Sequence, residues 1–316
     1  MAAVLTYDEI DFEAFKREKA CKAKVRKASV FIEDLLAEFA PKPEGYRGAT
    51  MRSSRMGSLI DFRPGEVTTW FGYNGHRKSM FLGQVMADLC RQGHKTLTAS
   101  FEMDPWKTLA RMARQVFGTY CPTNDQLKLI SRWTDGRLWI FDHEGNVDAD
   151  ELMAVIRYAN GLQITQVFID SMQFVCASEE QLDAQSQFMT DLLGVCRETG
   201  VHAHLVAHCK KPIDENKPPS KYDIRGSSAI SDKSHNIIGV WANQQKKARL
   251  LVNPHDMELR QEPDAQVQIC KQRNGEFEGR LKFWVDENSF RFTDERTTQI
   301  LPWDLFDSEQ QEFSHA

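Results

Sequence analysis

The sequence has no long hydrophobic run. Nothing in its 316 residues approaches the roughly 18 consecutive apolar positions of a membrane-crossing helix. With 41% hydrophobic and 27% charged residues it has the balance of a soluble globular chain, with no membrane partner. The first residues, MAAVLTYDEIDFEAF, carry acids early and lack the basic-then-apolar order of a secretory or transit leader, so the expected location is cytoplasmic. The seven cysteines (21, 90, 121, 176, 196, 209 and 270) include no CxxC pair and no zinc spacing, and read as reduced, mostly buried thiols. Strong charge of one sign is missing as well. Forty basic against 45 acidic residues leave a net charge of −5, which excludes a nucleic-acid coat and confines any phosphate contact to a local strip. There is no internal repeat and no low-complexity segment.

What is present divides into three parts: a helical linker and subunit-docking segment over 1–56, a core over 57–296 and an acidic flexible tail over 297–316. Val25, Ala28, Ile32, Leu35, Leu36 and Phe39 fall at helical spacing, which predicts one helix or two in series over 9–39 with an apolar stripe that must lie against something. From Lys16 to Lys27 seven basic residues stand against one acid, which fits either a solvated face or a contact with nucleic acid or a partner. The Pro-, Gly- and Ser-rich stretch 41–58 reads as a linker. From Leu59 short apolar runs (EVTTWF, KTLTASF, RLWIF, TQVFID, VHAHLVAH) alternate with helices predicted over 78–91, 106–117, 148–158 and 182–198. That alternation implies an α/β fold with a mostly parallel central sheet covered on both faces. IIGVWAN, ARLLVN, AQVQICKQ and RLKFWVD then follow one another as strands extending or edging the sheet. After Ile300 the tail has four acids, no Lys or Arg, and three large aromatics, as a partner-docking peptide could have.

The most informative stretch is FGYNGHRKSM. Strand EVTTWF runs into Gly72, Tyr73, Asn74, Gly75, His76 and Arg77, then Lys78 and Ser79 open a helix, matching G-x-x-x-x-G-K-[ST] at all but one defined position. Backbone N–H groups of such a loop surround phosphates at the positive end of a helix. This predicts ATP held by residues 72 to 79, with Lys78 reaching the β and γ phosphates and Ser79 ligating Mg2+. Arg77 stands where the loop has glycine. If its φ is positive it costs about 1 to 3 kcal/mol of local strain, and its guanidinium beside a triphosphate would add attraction.

Hydrolysis needs further groups at the same sheet edge. QVFID ends in Asp170, positioned for the magnesium side. Ser171 follows it where many phosphate-loop ATPases carry their base, so the base must come from another strand, and Glu102 after KTLTASF fits. An acid on the following helix's dipole is the other reading of Glu102. His208, closing VHAHLVAH, either polarises the γ phosphate or is structural, whereas His202 and His204 belong to the core. The loop after His208 carries Lys210, Lys211, Lys217, Lys221 and Arg225. It is either merely solvated or tracks a nucleic-acid backbone by phosphate contacts.

SFEM at 100–103, VFIDSMQ at 167–173, LVAHCKKP at 205–212, DIRGSSAISDKSHNIIGVWAN at 223–243 and CKQRNGEFEG at 270–279 together resemble the RecA-like motor of hexameric replicative DNA helicases of the DnaB type. The likeness is strongest to phage primase-helicases and mitochondrial Twinkle, and covers residues 57 to 293. It implies a RecA-like P-loop NTPase core preceded by a linker helix, ATP and Mg2+ as cofactors, and single-stranded DNA gripped by the basic loop. It also implies a homohexamer moving 5′ to 3′. Glu102 would activate water and His208 would sense the γ phosphate. Lys271 and Arg273 would act in trans on a neighbouring subunit's nucleotide, and the N-terminal helix would dock on that neighbour. A separate primase, loader or polymerase could meet the N-terminal helix or the acidic tail. Two positions depart from the family pattern: Arg77 replaces the loop glycine, and Ala242 stands where relatives often have arginine before Asn243. Two other readings stay open: an ATP-binding DNA ring or loader factor with weak or no hydrolysis, and a RecA-like recombination ATPase.

Overall fold

The computed structural model describes residues 3–6, 32, 36, 48–101, 103–143, 147–175, 182–211 and 214–305. A ten-stranded sheet forms its centre. In chain order the elements are β1 (Ala3–Thr6), β2 (Val67–Gly72), α1 (Lys78–Arg91), β3 (Thr96–Ser100), α2 (Pro105–Phe117), α3 (Asn124–Thr134), β4 (Leu138–Asp142), α4 (Ala149–Gly161), β5 (Gln166–Asp170), α5 (Leu182–Thr199) and β6 (His202–His208). They continue with α6 (Ala229–Lys233), β7 (Asn236–Ala242), α7 (Gln244–Val252), α8 (Met257–Gln261), β8 (Ala265–Gln272), β9 (Gly279–Asp286) and β10 (Arg291–Thr293).

The strand order is β1-β4-β3-β5-β6-β2-β7-β8-β9-β10. β1 through β7 in that order pair in parallel, and β8, β9 and β10 are antiparallel additions. The parallel strands from β2 to β7 are buried on both faces, which is why they read as continuous apolar runs. One core joins them to Leu152, Val155 and Ile156 of α4 and Phe188, Met189 and Leu192 of α5. The other joins them to Phe81, Val85 and Leu89 of α1, Met112 and Val116 of α2, and Trp133 of α3. His202 and His204 lie in the core as expected. Both are fully buried, and desolvation first of all pushes His202 down to about 3 and His204 well below its ordinary value.

The structure corrects several expectations. ARLLVN is not a strand but the end of α7. Asn243 caps this helix by accepting from Lys246 N (2.9 Å), and the buried Lys246 ammonium ties it to Asp264 at 2.6 Å. The composition of 41–58 suggests a linker, yet Ala49, Met51 and Met56 are buried in the second core, so the packed body starts upstream of Leu59. The tail is packed as far as Leu305: Trp303 N bonds Val116 O at 2.8 Å, and its ring lies beneath the guanidinium groups of Arg91 and Arg291. Strand β1, helix α3 and the short α6 and α8 were not foreseen. The expected N-terminal helix lies outside the described residues, apart from helical Ile32 and Leu36.

Candidate nucleotide site

Every parallel strand delivers its last residue to the same edge of the sheet, and β2, β5 and β6 are neighbours there or one strand removed. The loop leaving β2 needs its glycines. A Cβ on Gly72 would collide with the Val240 carbonyl, and Gly75 has a φ of +76°. Lys78 opens α1, is buried, and donates to the Gly72 and Tyr73 carbonyls at 2.9 Å each, folded over the loop it would share with phosphates. His76 is also buried. Its Nδ1 accepts from Ala242 N at 3.2 Å, and burial above all lowers its affinity for a proton.

Arg77 adopts the left-handed conformation, φ 64° and ψ 21°, so the strained alternative applies. Its guanidinium is held by Glu287, at 2.6 Å. The attraction expected between this arginine and a triphosphate is therefore replaced by an ion pair with the β9–β10 turn.

The remaining groups converge from three strands. Ser79 Oγ donates to Asp170 Oδ2 at 2.5 Å, joining the first turn of α1 to the end of β5. His208 Nδ1 donates to Asn74 Oδ1 at 2.6 Å, which leaves Nε2 to accept from Ser171 Oγ at 3.3 Å. Residue spacing does not single out Asn74 or Ser171 as His208's partners, since side-by-side strands bring them together. Glu102 lies outside the described residues. Its neighbours are placed: Ser100 is opposite Asp170 in register, and Phe101 N bonds Asp170 O at 2.9 Å.

These residues fit a magnesium–triphosphate. Ser79 and Asp170 present hard oxygens, and Ser100 Oγ beside them is buried with no hydrogen-bond partner among the described residues. Among those residues no group of three His, Cys, Asp or Glu side chains could hold a metal alone, which suits a cation bound mainly through phosphate and water.

The basic loop returns beside His208: Lys210 N bonds Asp223 O and Arg225 N bonds His208 O, at 2.8 and 2.9 Å. Lys210, Lys211 and Arg225 line a cleft of about 700 Å3 together with Tyr73 and Asn74 of the phosphate loop. Lys217 pairs with Asp214 at 3.7 Å, and Lys221 stands 5.7 Å from the ring of Tyr222, which is 80% exposed. Tyr222 is a surface aromatic of the kind that bases stack on, overlooked in a loop read only for its charge.

Lys271 and Arg273 are not at this edge. β8 runs antiparallel to β7, so its end meets the start of β7, and Arg273 N bonds His235 O at 2.9 Å. The level of Gly72 is five residues further along β7, roughly 16 Å at about 3.3 Å per residue. Lys271 Nζ bonds the carbonyls of Ser231 and Asp232, and Arg273 Nη2 that of Asp232. The backbone beside Arg273 is also gripped: Arg63 Nη1 bonds Asn274 O at 2.5 Å, and Asn274 Nδ2 bonds the buried Glu66 carboxylate.

Known proteins share both sequence and fold with this chain. Residues 52–214, more than half of the chain, match the AAA domain family. The DNA helicase/primase of Enterobacteria phage T3 is 30% identical over 261 residues, 72% of this chain and 46% of that protein, so the chain spans about half the length of that relative. The fold matches a solved ATPase domain (TM-score 0.67, 15% identity, 84% of this chain and 96% of that one). It also matches a DnaB-like replicative helicase (TM-score 0.67, 14% identity, 86% of this chain and 67% of that one). The chain therefore belongs to the AAA domain family, with the RecA-like fold of the DnaB-type helicase motor.

Proposed function

We propose that the chain is the ATP-driven motor of a replicative DNA helicase that works as a homohexamer on single-stranded DNA, moving 5′ to 3′. Lys78 and the amides of residues 72 to 79 hold the phosphates, and Ser79 and Asp170 hold Mg2+, which when bound neutralises charge on the transferring phosphoryl group. Glu102 takes the proton from the attacking water. His208, joined to the phosphate loop through Asn74, reports the γ phosphate to the basic loop, whose Lys210, Lys211, Lys217, Lys221 and Arg225 contact the DNA backbone. The DNA helicase/primase named above supports this reading, and so does the placement of Tyr222 beside the lysines.

One observation carries the proposal: the residues that bind and the residues that resemble a finger stand at opposite edges of one sheet. Lys271 and Arg273 cannot reach their own subunit's phosphate loop, so a complete site needs two subunits. The test is a mixing experiment. Lys78→Ala and Arg273→Ala are each inactive alone in DNA-stimulated ATP hydrolysis. Mixed, they regain activity, because an Arg273→Ala subunit supplies an intact phosphate loop to a Lys78→Ala neighbour's intact finger. Failure of every mixing ratio to exceed either variant alone would remove the shared site.

A further inference from the structure

The two departures from the helicase pattern lie 165 positions apart in sequence, at 77 and 242, yet they line one cleft. This cleft of about 390 Å3 borders the phosphate loop, and its walls include Arg77, Ala242, Gln244, Leu251, Val285 and Glu287. Its floor is tied to the loop by two bonds, Ala242 N to His76 Nδ1 and Gln244 Nε2 to Gly75 O, each 3.2 Å. A nucleotide whose phosphates occupy the loop must send its nucleoside to one side. The larger cleft sets Tyr73 and Leu182 among Lys210, Lys211, Glu215 and Arg225 and exposes polar and apolar surface about equally. The smaller one sets Leu250, Leu251 and Val285 beside Arg77, Lys247 and Asp264 and exposes more apolar than polar surface, the balance usual in a site for a flat apolar ring.

Within it Arg77 is poised. One arm of its guanidinium is held by Glu287 at 2.6 Å, while Nη1 is buried and has no hydrogen-bond partner among the described residues. A buried, unpaired cationic donor is costly, and an acceptor on a ligand bound in this cleft would satisfy it. The turn that carries Glu287 is itself fixed, since Arg114 on α2 donates to the Glu287 and Asn288 carbonyls at 3.2 and 2.5 Å and lies over the Phe290 ring.

We propose that Arg77, held by Glu287, gives the nucleoside half of the bound nucleotide a cationic donor from the phosphate loop itself, across the cleft from Ala242. Arg77 touches the ligand, and Glu287 is a positioning residue. This rests on the nucleotide-binding reading above. It explains why the loop keeps an arginine in a backbone conformation that glycine adopts without strain. It also accounts for the ion pair that holds Arg77 to Glu287.

Equilibrium binding of Mg–ATP and of inorganic tripolyphosphate to the full chain tests it. Arg77→Gly is expected to raise the Kd for ATP about tenfold, the loss of one charge-assisted hydrogen bond, with a thermal midpoint unchanged or higher. Tripolyphosphate, which has no nucleoside, is expected to bind both proteins equally. Arg77→Gly combined with Ala242→Arg is expected to recover ATP affinity to within about threefold of the unaltered chain. Should that double variant fail to fold, Glu287→Gln replaces it: the Glu287→Gln loss must disappear in the Arg77→Gly background, because the two residues act through one contact. Equal ATP affinity with Gly at 77, equal losses for ATP and tripolyphosphate, a folded double variant without recovery, or additive losses would each overturn the inference. Lys78→Ala separates the two levels. If the unaltered chain does not bind ATP, or binds it no better than Lys78→Ala, the nucleotide-binding reading fails and this inference with it. If it does bind and Arg77→Gly is silent, only the inference fails.

Discussion

The two edges of the sheet are built from the same strands but do different chemistry. At the carboxyl edge, Lys78 is bonded to the loop carbonyls of Gly72 and Tyr73, Ser79 to Asp170, and His208 to Asn74 and Ser171. At the amino edge, Lys271 and Arg273 are strapped to carbonyls and flanked by the buried groups Glu66, His202 and His235. Seven parallel strands alone would put every terminal residue at the first edge. Reversing β8 puts a cationic pair at the second, facing outward from a subunit whose own fuel site is out of range. Under the proposed function, the need for a second subunit follows from this one change of strand direction.

The largest expected effect separates the edges directly. Arg273→Ala should slow DNA-stimulated ATP hydrolysis about 10³-fold or more while the Kd for ATP stays within about threefold. Steady-state turnover and equilibrium binding on one preparation decide it, and a matching loss of affinity would mean the arginine serves its own subunit. Next is His208→Asn, which should cost about 10² in turnover, the scale for one lost polarising donor, and also weaken the stimulation by DNA. Undiminished stimulation would separate this histidine from the basic loop.

The amino edge should also be the acid-sensitive one. Burial, then nearby Arg273, holds His235 down at about 4, and burial holds His202 at about 3. In the unfolded chain such histidines titrate near 6.5, so between that value and the folded ones the unfolded state binds more protons and stability falls as pH falls. Urea melts at pH 7 and pH 5 should differ by about 2 kcal/mol for each fully buried histidine, and a flat profile would mean these rings are already solvated. The smallest effect concerns Glu66, whose carboxyl burial pushes up despite the Asn274 hydrogen bond. That raised affinity for a proton works against folding at neutral pH. Glu66→Gln, which retains an acceptor for Asn274, should stabilise by about 1 kcal/mol at pH 7. The gain should vanish toward pH 4.5, where the unfolded carboxyl is itself taking up a proton.

The carboxyl edge was largely legible because its parts are local. A phosphate loop is eight consecutive residues, and Asp170 and His208 each end an apolar run, so a parallel sheet brings them together whatever the details. Arg77's partner was not legible, since Glu287 lies 210 positions away and only the packed β9–β10 turn presents it. ARLLVN misled because a short apolar run has no period of its own; the cap at Asn243 and the Lys246–Asp264 pair decided for helix. The 41–58 stretch misled for the opposite reason. Within its described part, 48–58, a turn and the short 3-10 helix from Arg55 to Ser58 let Met51 and Met56 reach the core, which composition does not distinguish from a free linker.

The first strand has a practical consequence. Residues 3–6 pair in parallel with β4 from Trp139 to Asp142 and so occupy the outer side of that strand. Removing them would leave a row of β4 amides and carbonyls with no cover from the sheet, a template for another copy's strand. Trimming the first six residues should therefore show itself as clumping on concentration before it shows itself in catalysis.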